Sequence, residues 1–380
     1  MRLSARPLPP SGASASRPTL HLASRRGLPC PRAVVETPPP PSTEEAAPAL
    51  TPAGAASSPC SSLRAGAASA LLYPHDPLPP AARPTAVATL VPGKLWTFTS
   101  PFYASPISKL SAENRMTVAA LEGLPGAAQG SSSSDANPAS ASSSSAPFLA
   151  LFNPLTPTQD SLDALAATGL PVGAIVIPST SPEHWVGAAG CAAAFPDAAI
   201  LAPPGFFSAG PGGGRIGGKL GALAAASAVL DAAAAAGRAR ELTFAGGSPA
   251  AAAASLWGGQ VDAALFAGQG GFVEVAFRLA ATKTVLTADL AFGLLPSDLA
   301  ATPGANWLDG ALARLAGIYG KLGCATWPVL RASPAEAAAF VGVLDGWAAG
   351  GGVEAVVPAH LSAPWGGDAL DGAFGWVKRA

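Results

Sequence analysis

The sequence predicts an α/β (α+β) domain in which two sheets lie sandwiched between helices. This αββα four-layer domain spans about residues 86–380, behind an N-terminal extension of residues 1–85. Three observations predict it. Short β-branched apolar runs alternate with Ala-rich or amphipathic stretches, the pattern of strands and covering helices. Some strand-like runs follow one another directly, so the chain is not purely alternating and one sheet does not use them all. All 8 Trp residues lie at or after Trp96, so the apolar volume for a core is confined to the later part.

The elements follow in order. Leu95-Trp-Thr-Phe-Thr-Ser and Met116-Thr-Val-Ala-Ala-Leu read as strands. A Ser/Ala/Gly insertion at about 125–146 interrupts the pattern, and Phe148-Leu-Ala-Leu-Phe resumes it. Thr156, with Gln159 three residues on, predicts a capped helix to about Thr168. Val172 to Ile177 is a buried strand, Pro182 to Phe195 a helix and Ala199-Ile-Leu-Ala a strand. A Gly-rich loop, Gly210 to Gly218, precedes an Ala-rich helix to about Ala236. Val261 to Phe266, Phe272 to Leu279 and Thr284 to Thr287 are consecutive strands. Asn306 to Ile318 is amphipathic, and Ser333-Pro-Ala-Glu336 is a capping box opening a helix to about Trp347. Val353 to Val357 is the last strand and Asp368 to Lys378 the last helix.

Charge excludes several functions. The chain has 22 Lys+Arg against 23 Asp+Glu and no basic stripe, which argues against a nucleic-acid groove. No apolar run is long enough to cross a bilayer; the longest Ala-rich stretch, Gly221 to Gly237, contains Asp231. Cys30, Cys60, Cys191 and Cys324 are scattered, so neither a disulfide framework nor a Cys-built zinc site is expected. Residues 1–85 carry eight Arg and four acids, and no acid precedes Glu36. That Arg- and Ser-rich, acid-poor composition is expected of a chloroplast transit peptide, with the plastid stroma as destination.

The chemistry-bearing segment is Ile177-Pro-Ser-Thr-Ser-Pro-Glu-His184, between a buried strand and a helix. Its register resembles the Thr-His-x-His-x-Asp-His signature of the metallo-β-lactamase superfamily. Ser179 and Ser181 stand where the first two histidines belong, Glu183 stands for the aspartate, and His184 keeps the last histidine. Val285-Leu-Thr-Ala-Asp289 resembles the segment with the metal-bridging aspartate, and Val356-Val-Pro-Ala-His360 the one with the final histidine. The third family histidine has no counterpart. Together with Phe152-Asn-Pro, these blocks are similar to domain-of-unknown-function family 4336, a plant, algal and cyanobacterial branch without established activity.

The resemblance implies a metallo-β-lactamase-like fold whose dinuclear centre is lost. One metal position has lost its histidines, and serine hydroxyls bind Zn²⁺ poorly. The other keeps Glu183, His184, Asp289 and His360, a set for no metal or for one Zn, Fe or Mn ion, with Glu183 either a ligand or a catalytic base. A bland reading stands beside it: His184 caps a helix, His360 packs at a strand end and Asp289 anchors a turn. The expectations are a non-catalytic relic, a single-metal hydrolase of a small ester, thioester or lactone, or a module binding a small molecule or a protein partner.

Overall fold

In a computed structural model, the described residues are 84–100, 113–123, 146–208, 214–216, 218, 223–244, 253–302, 305–324 and 333–374. The N-terminal extension to residue 83, the Ser-rich insertion to residue 145, most of the Gly-rich loop and the last helix beyond residue 374 lie outside them.

The first half of the chain runs β1 (Ala86–Val91), β2 (Leu95–Ser100), β3 (Asn114–Leu121), β4 (Phe148–Phe152), α1 (Gln159–Ala167), β5 (Val172–Val176), α2 (Pro182–Ala194), β6 (Ala199–Ala202), α3 (Leu223–Ala235) and β7 (Ala239–Glu241). The seven strands form one sheet in sequence order. β1 to β4 pair antiparallel, and β4 to β7 pair parallel through the helical crossovers.

The second half runs β8 (Ala253–Leu256), β9 (Val261–Ala267), β10 (Val273–Leu279), β11 (Thr284–Thr287), β12 (Phe292–Gly293), α4 (Pro296–Ala301), α5 (Trp307–Leu315), β13 (Leu322–Gly323), α6 (Pro334–Ala348), β14 (Ala355–Pro358), β15 (Trp365–Gly366) and α7 (Ala369–Ala373). Its main sheet has the order β15-β14-β11-β10-β9-β8, and β12 pairs with β13 in a small ribbon. Only β11 and β14 run parallel within that main sheet.

Alternation along the strands divides the core into three. Inward residues of both sheets, among them Phe152, Val176, Phe277, Leu286 and Val357, form the central layer, where the Phe152 and Phe277 rings sit 5.2 Å apart. Leu151, Ile175 and Ile200 point outward from the first sheet against Trp185 of α2 and Leu230 of α3. Val285 and Val356 point outward from the second sheet against Phe340 and Leu344 of α6. The four layers are therefore helix, sheet, sheet, helix.

Local chemistry explains the departures from expectation. The cap of α1 is Thr158, not Thr156; Thr158 and Ser161 exchange side-chain and backbone hydrogen bonds, which fixes the helix start two residues later. β7 and β8 had no strand signal, because their residues are small or exposed and pairing to a neighbour holds them, whereas β1, with Val87, Thr89 and Val91 at every second position, carried a strand pattern that was not read as one. Among the described residues, no helix is long and apolar enough to cross a membrane.

Candidate metal centre

The parallel strands all end on one side of the sandwich, and loops beyond such carboxyl ends are where open α/β sheets place their sites. β4 delivers Asn153, β5 leads through Pro178–Ser181 into α2, β11 delivers Asp289, and β14 delivers His360. Pro182 at the first helical position starts α2, so Glu183 lies in its first turn, where a carboxylate suits the helix dipole. α2 can approach β4 closely because Gly187 and Gly190 face the 154–157 segment. A Cβ on Gly187 would meet Pro154 O at 2.3 Å. Cys191 is buried on the same helix, its thiol 3.2 Å from Leu155 O.

Glu183, His184, Asp289 and His360 converge: one ligand atom from each lies within 4.8 Å of all the others. His184 Nε2 is 3.1 Å from Asp289 Oδ2, and His360 Nε2 is 3.3 Å from Asp289 Oδ1. The two imidazoles stand 5.0 Å apart between centroids, with Phe292 edge-on to His360. His184 is fully buried and the Asp289 side chain is 16 % exposed, so solvent reaches the group from the carboxylate side.

The far nitrogens of both rings are fixed. Asn153 Nδ2 donates to Asn114 Oδ1 at 2.8 Å and to Arg115 O at 2.7 Å, which leaves its Oδ1 as the acceptor for His184 Nδ1–H at 2.8 Å. Asn114 Nδ2 in turn donates to Glu183 O at 2.8 Å. His360 Nδ1–H donates to Glu113 O at 3.1 Å. Each ring therefore carries its proton on Nδ1 and aims Nε2 at Asp289. Carbonyl-type partners of this kind set the tautomer of metal-binding histidines.

Three buried polar groups hold the loops. Asn153 adopts a left-handed φ of 57°. Arg115 donates from its backbone to Ala359 O at 2.7 Å, and from its guanidinium to Pro358 O and Leu361 O, both at 2.7 Å, around His360. Glu274 of β10 accepts from the backbone N–H groups of Ala288, Asp289 and Leu290. Asp289 thus does not anchor its own turn; Glu274 does. Sequence reading missed Arg115 and Glu274, and noted Asn153 only as part of the Phe152-Asn-Pro block, without a role. The only local signals were charges inside apolar strands and an Asn before Pro at a strand end.

Electrostatics follow burial and partners. Burial opposes the Asp289 charge, but His184 and His360 outweigh it and hold its carboxyl well below the usual range. Burial would depress His360, yet the hydrogen bond and charge of Asp289 raise it. Burial and the Asp289 charge push Glu274 up to about 8, against the three N–H donors that favour its ionised form.

The residue positions of the other, histidine-poor site are engaged within the protein. Ser179 is fully buried and bridges to Glu274, and its hydroxyl accepts from Ser181 N at 3.2 Å. Trp185 is buried under the loop and donates to Thr180 O at 3.1 Å. Arg215, from the Gly-rich loop, pairs with Asp231 and lies over Phe206 and Phe207.

The donor set passes one test of fit to a cation. His184 Nε2 is buried and has no aligned hydrogen-bond partner among the described residues, despite its approach to Asp289.

No family model matches the chain, and no curated protein matches it. Solved structures do. A metallo-β-lactamase from Pontibacter korlensis is 10 % identical over 78 % of this chain and 100 % of its own, with a TM-score of 0.40. One from Hirschia baltica is 9 % identical over 78 % and 98 %, with a TM-score of 0.42. One from Pseudomonas aeruginosa, in a mono-zinc form, is 11 % identical over 79 % and 97 %, with a TM-score of 0.42.

Proposed function

We propose that this protein is a single-metal hydrolase of a small ester, thioester or lactone. His184, Asp289 and His360 would hold the ion, and Glu183 would carry the proton. One observation carries the reading: two imidazole nitrogens, His184 Nε2 at 3.1 Å and His360 Nε2 at 3.3 Å, face the one carboxylate of Asp289, and a ligand atom of Glu183 lies within 4.8 Å of the others. A divalent cation would draw on these groups together.

The donor chemistry selects a borderline divalent ion of the Zn, Fe or Mn kind, because two imidazoles and carboxylate suit it and no thiolate is present. When bound, such an ion lowers the pKa of a water. The protein's own groups supply the rest. Asn153 and Glu113 hold both rings in the ligating tautomer. Among the described residues nothing donates a hydrogen bond to the Glu183 carboxylate, so it is the least tethered of the four. It is free to turn toward a water and take its proton. With Ser179 fully buried and bonded within the protein, the site is built for one ion.

A second reading has its own observation. Four side chains converge, and if Glu183 also ligates, all positions of a tetrahedral ion are protein-filled and the centre is a non-catalytic binding module. We place the protein in the plastid on its N-terminal composition, and in the family of unknown function on the four sequence blocks.

Elemental analysis of the purified chain, with and without Zn, Fe or Mn during purification, tests the metal. One equivalent, lost in His184→Ala, is expected; no bound metal under any condition refutes the proposal. Glu183→Gln then separates the readings. The hydrolase keeps its metal and loses about 10²–10⁴-fold in turnover. The binding module loses metal affinity instead.

A further inference from the structure

Glu274 stands out because nothing about a strand residue in its position calls for a charge. By alternation along β10, Val275, Phe277 and Leu279 enter the central core, whereas Glu274 shares its face with Ala276. That face packs into the outer core with Phe266, Leu290 and Ala291, and Glu274 is 0 % exposed. An ionised carboxylate there is costly unless it is fully hydrogen-bonded.

It is. Both carboxylate oxygens accept from the turn after β11: Oε1 from Ala288 N at 2.8 Å and Leu290 N at 3.2 Å, Oε2 from Asp289 N at 2.8 Å and Leu290 N at 3.1 Å. Three successive N–H groups form a nest around the two oxygens of one carboxyl group. Thr287 Oγ1 closes the same turn by donating to Ala291 O at 2.7 Å. The middle residue of this nest is Asp289, whose side chain reaches both imidazoles. The backbone around Glu274 is pinned as well, since Ser179 bridges to it and Val275 N donates to Pro178 O at 2.7 Å.

We infer that Glu274 is a positioning residue for the metal centre, whose buried carboxylate fixes the 288–290 backbone and thereby aims the Asp289 carboxylate at His184 and His360. The inference rests on the single-metal reading for its consequence, but the clamp itself does not need a metal.

The test has two arms on the full chain. In metal-free protein, hydrogen exchange at residues 288–290 reports the clamp directly. Glu274→Gln turns an N–H donor onto N–H donors, so protection there falls about tenfold or more, while β14 keeps its protection. In the second arm, Co²⁺ is titrated and its visible spectrum recorded. Glu274→Gln weakens Co²⁺ binding about 10–100-fold and shifts the spectrum, and Glu274→Asp, which keeps both acceptors, recovers part of each. If Glu274→Gln does not fold, Glu274→Asp is read alone, with weaker binding and a shifted spectrum expected.

Unchanged exchange at 288–290 in the folded variant overturns the clamp, whatever the metal does. Altered exchange with Co²⁺ binding and spectrum unchanged overturns the positioning role. A wild type that binds no Co²⁺ defeats the single-metal reading and the inferred role together, and the exchange arm still decides whether the clamp exists.

Discussion

Truncating Asn153 gives the sharpest test of how the site is held. Asn153 Oδ1 accepts from His184, and its Nδ2 donates to Asn114 Oδ1 and Arg115 O, all at 2.7–2.8 Å in a buried setting. Asn153→Ala removes three hydrogen bonds worth about 0.5–1.5 kcal/mol each, and stranding their buried partners adds to the loss. The backbone contributes separately. At a φ of 57°, alanine meets a penalty of about 1–2 kcal/mol that Asn tolerates better and glycine does not feel. The expected loss for Asn153→Ala is therefore about 4–6 kcal/mol, with Asn153→Gly about 1 kcal/mol less damaged. Urea unfolding of the three proteins, with equal m-values, measures both numbers. A loss below about 1 kcal/mol for Asn153→Ala, or a glycine variant weaker than the alanine one, would refute the network.

Two further predictions follow from charge and from packing. Asp289 is held below its ordinary 3.8, so its contribution is present above that value and lost as pH falls through the lowered one. His360 is raised above 6.5, so its contribution is present below 6.5 and lost as pH rises through the raised value. Chelated protein should therefore melt highest between about pH 4 and 6.5, with the raised Glu274 carboxyl adding to the loss of stability as pH rises toward 8, whereas added Zn²⁺ should stabilise increasingly as His360 loses its proton. Melting curves rising from pH 6 to 9 in chelator would contradict this. Gly187→Ala drives a Cβ into Pro154 O, a backbone atom, and should cost about 3 kcal/mol or more while displacing His184. Gly342→Ala, in α6 with nothing within 4 Å of its Cβ, should instead stabilise by about 0.5–1 kcal/mol. Equal effects in denaturation curves would remove the packing argument.

How far the sequence could be read depended on whether the signal was local. Val172 to Val176 and Thr284 to Thr287 were legible because strands buried on both faces read as short, near-continuous apolar runs rich in β-branched residues. Ser333 and Glu336 showed their helix start because a capping box is complete within four positions. β7, with the residues Ala-Arg-Glu, exists through its pairing to β6 and left no such trace. At the site, Glu183, His184, Asp289 and His360 were legible through the family signature that their segments resemble. Glu274 was not: period two assigns it a face without telling which faces helices cover. Arg115 was hidden for a similar reason, since its partners Pro358 and Leu361 lie at and just beyond the end of β14 in the opposite sheet, more than two hundred positions along the chain.

The two sheets are joined unequally at their ends. On the ligand side the joints are main-chain, where Asn114 bridges to His360, Ser179 to Glu274 and Arg115 N bonds Ala359 O, and side-chain bonds of the buried residues Arg115 and His360 add to them. On the far side Gln260 reaches Glu122 through exposed side-chain bonds. At the Gln260 edge the sheets are held by side chains, including Phe148 packed edge-on against Trp257, so hydrogen exchange is expected to begin there rather than at the ligand end. Thermal breathing would admit water to the central aromatic layer while the ligand end, with its four polar side chains, stayed shut.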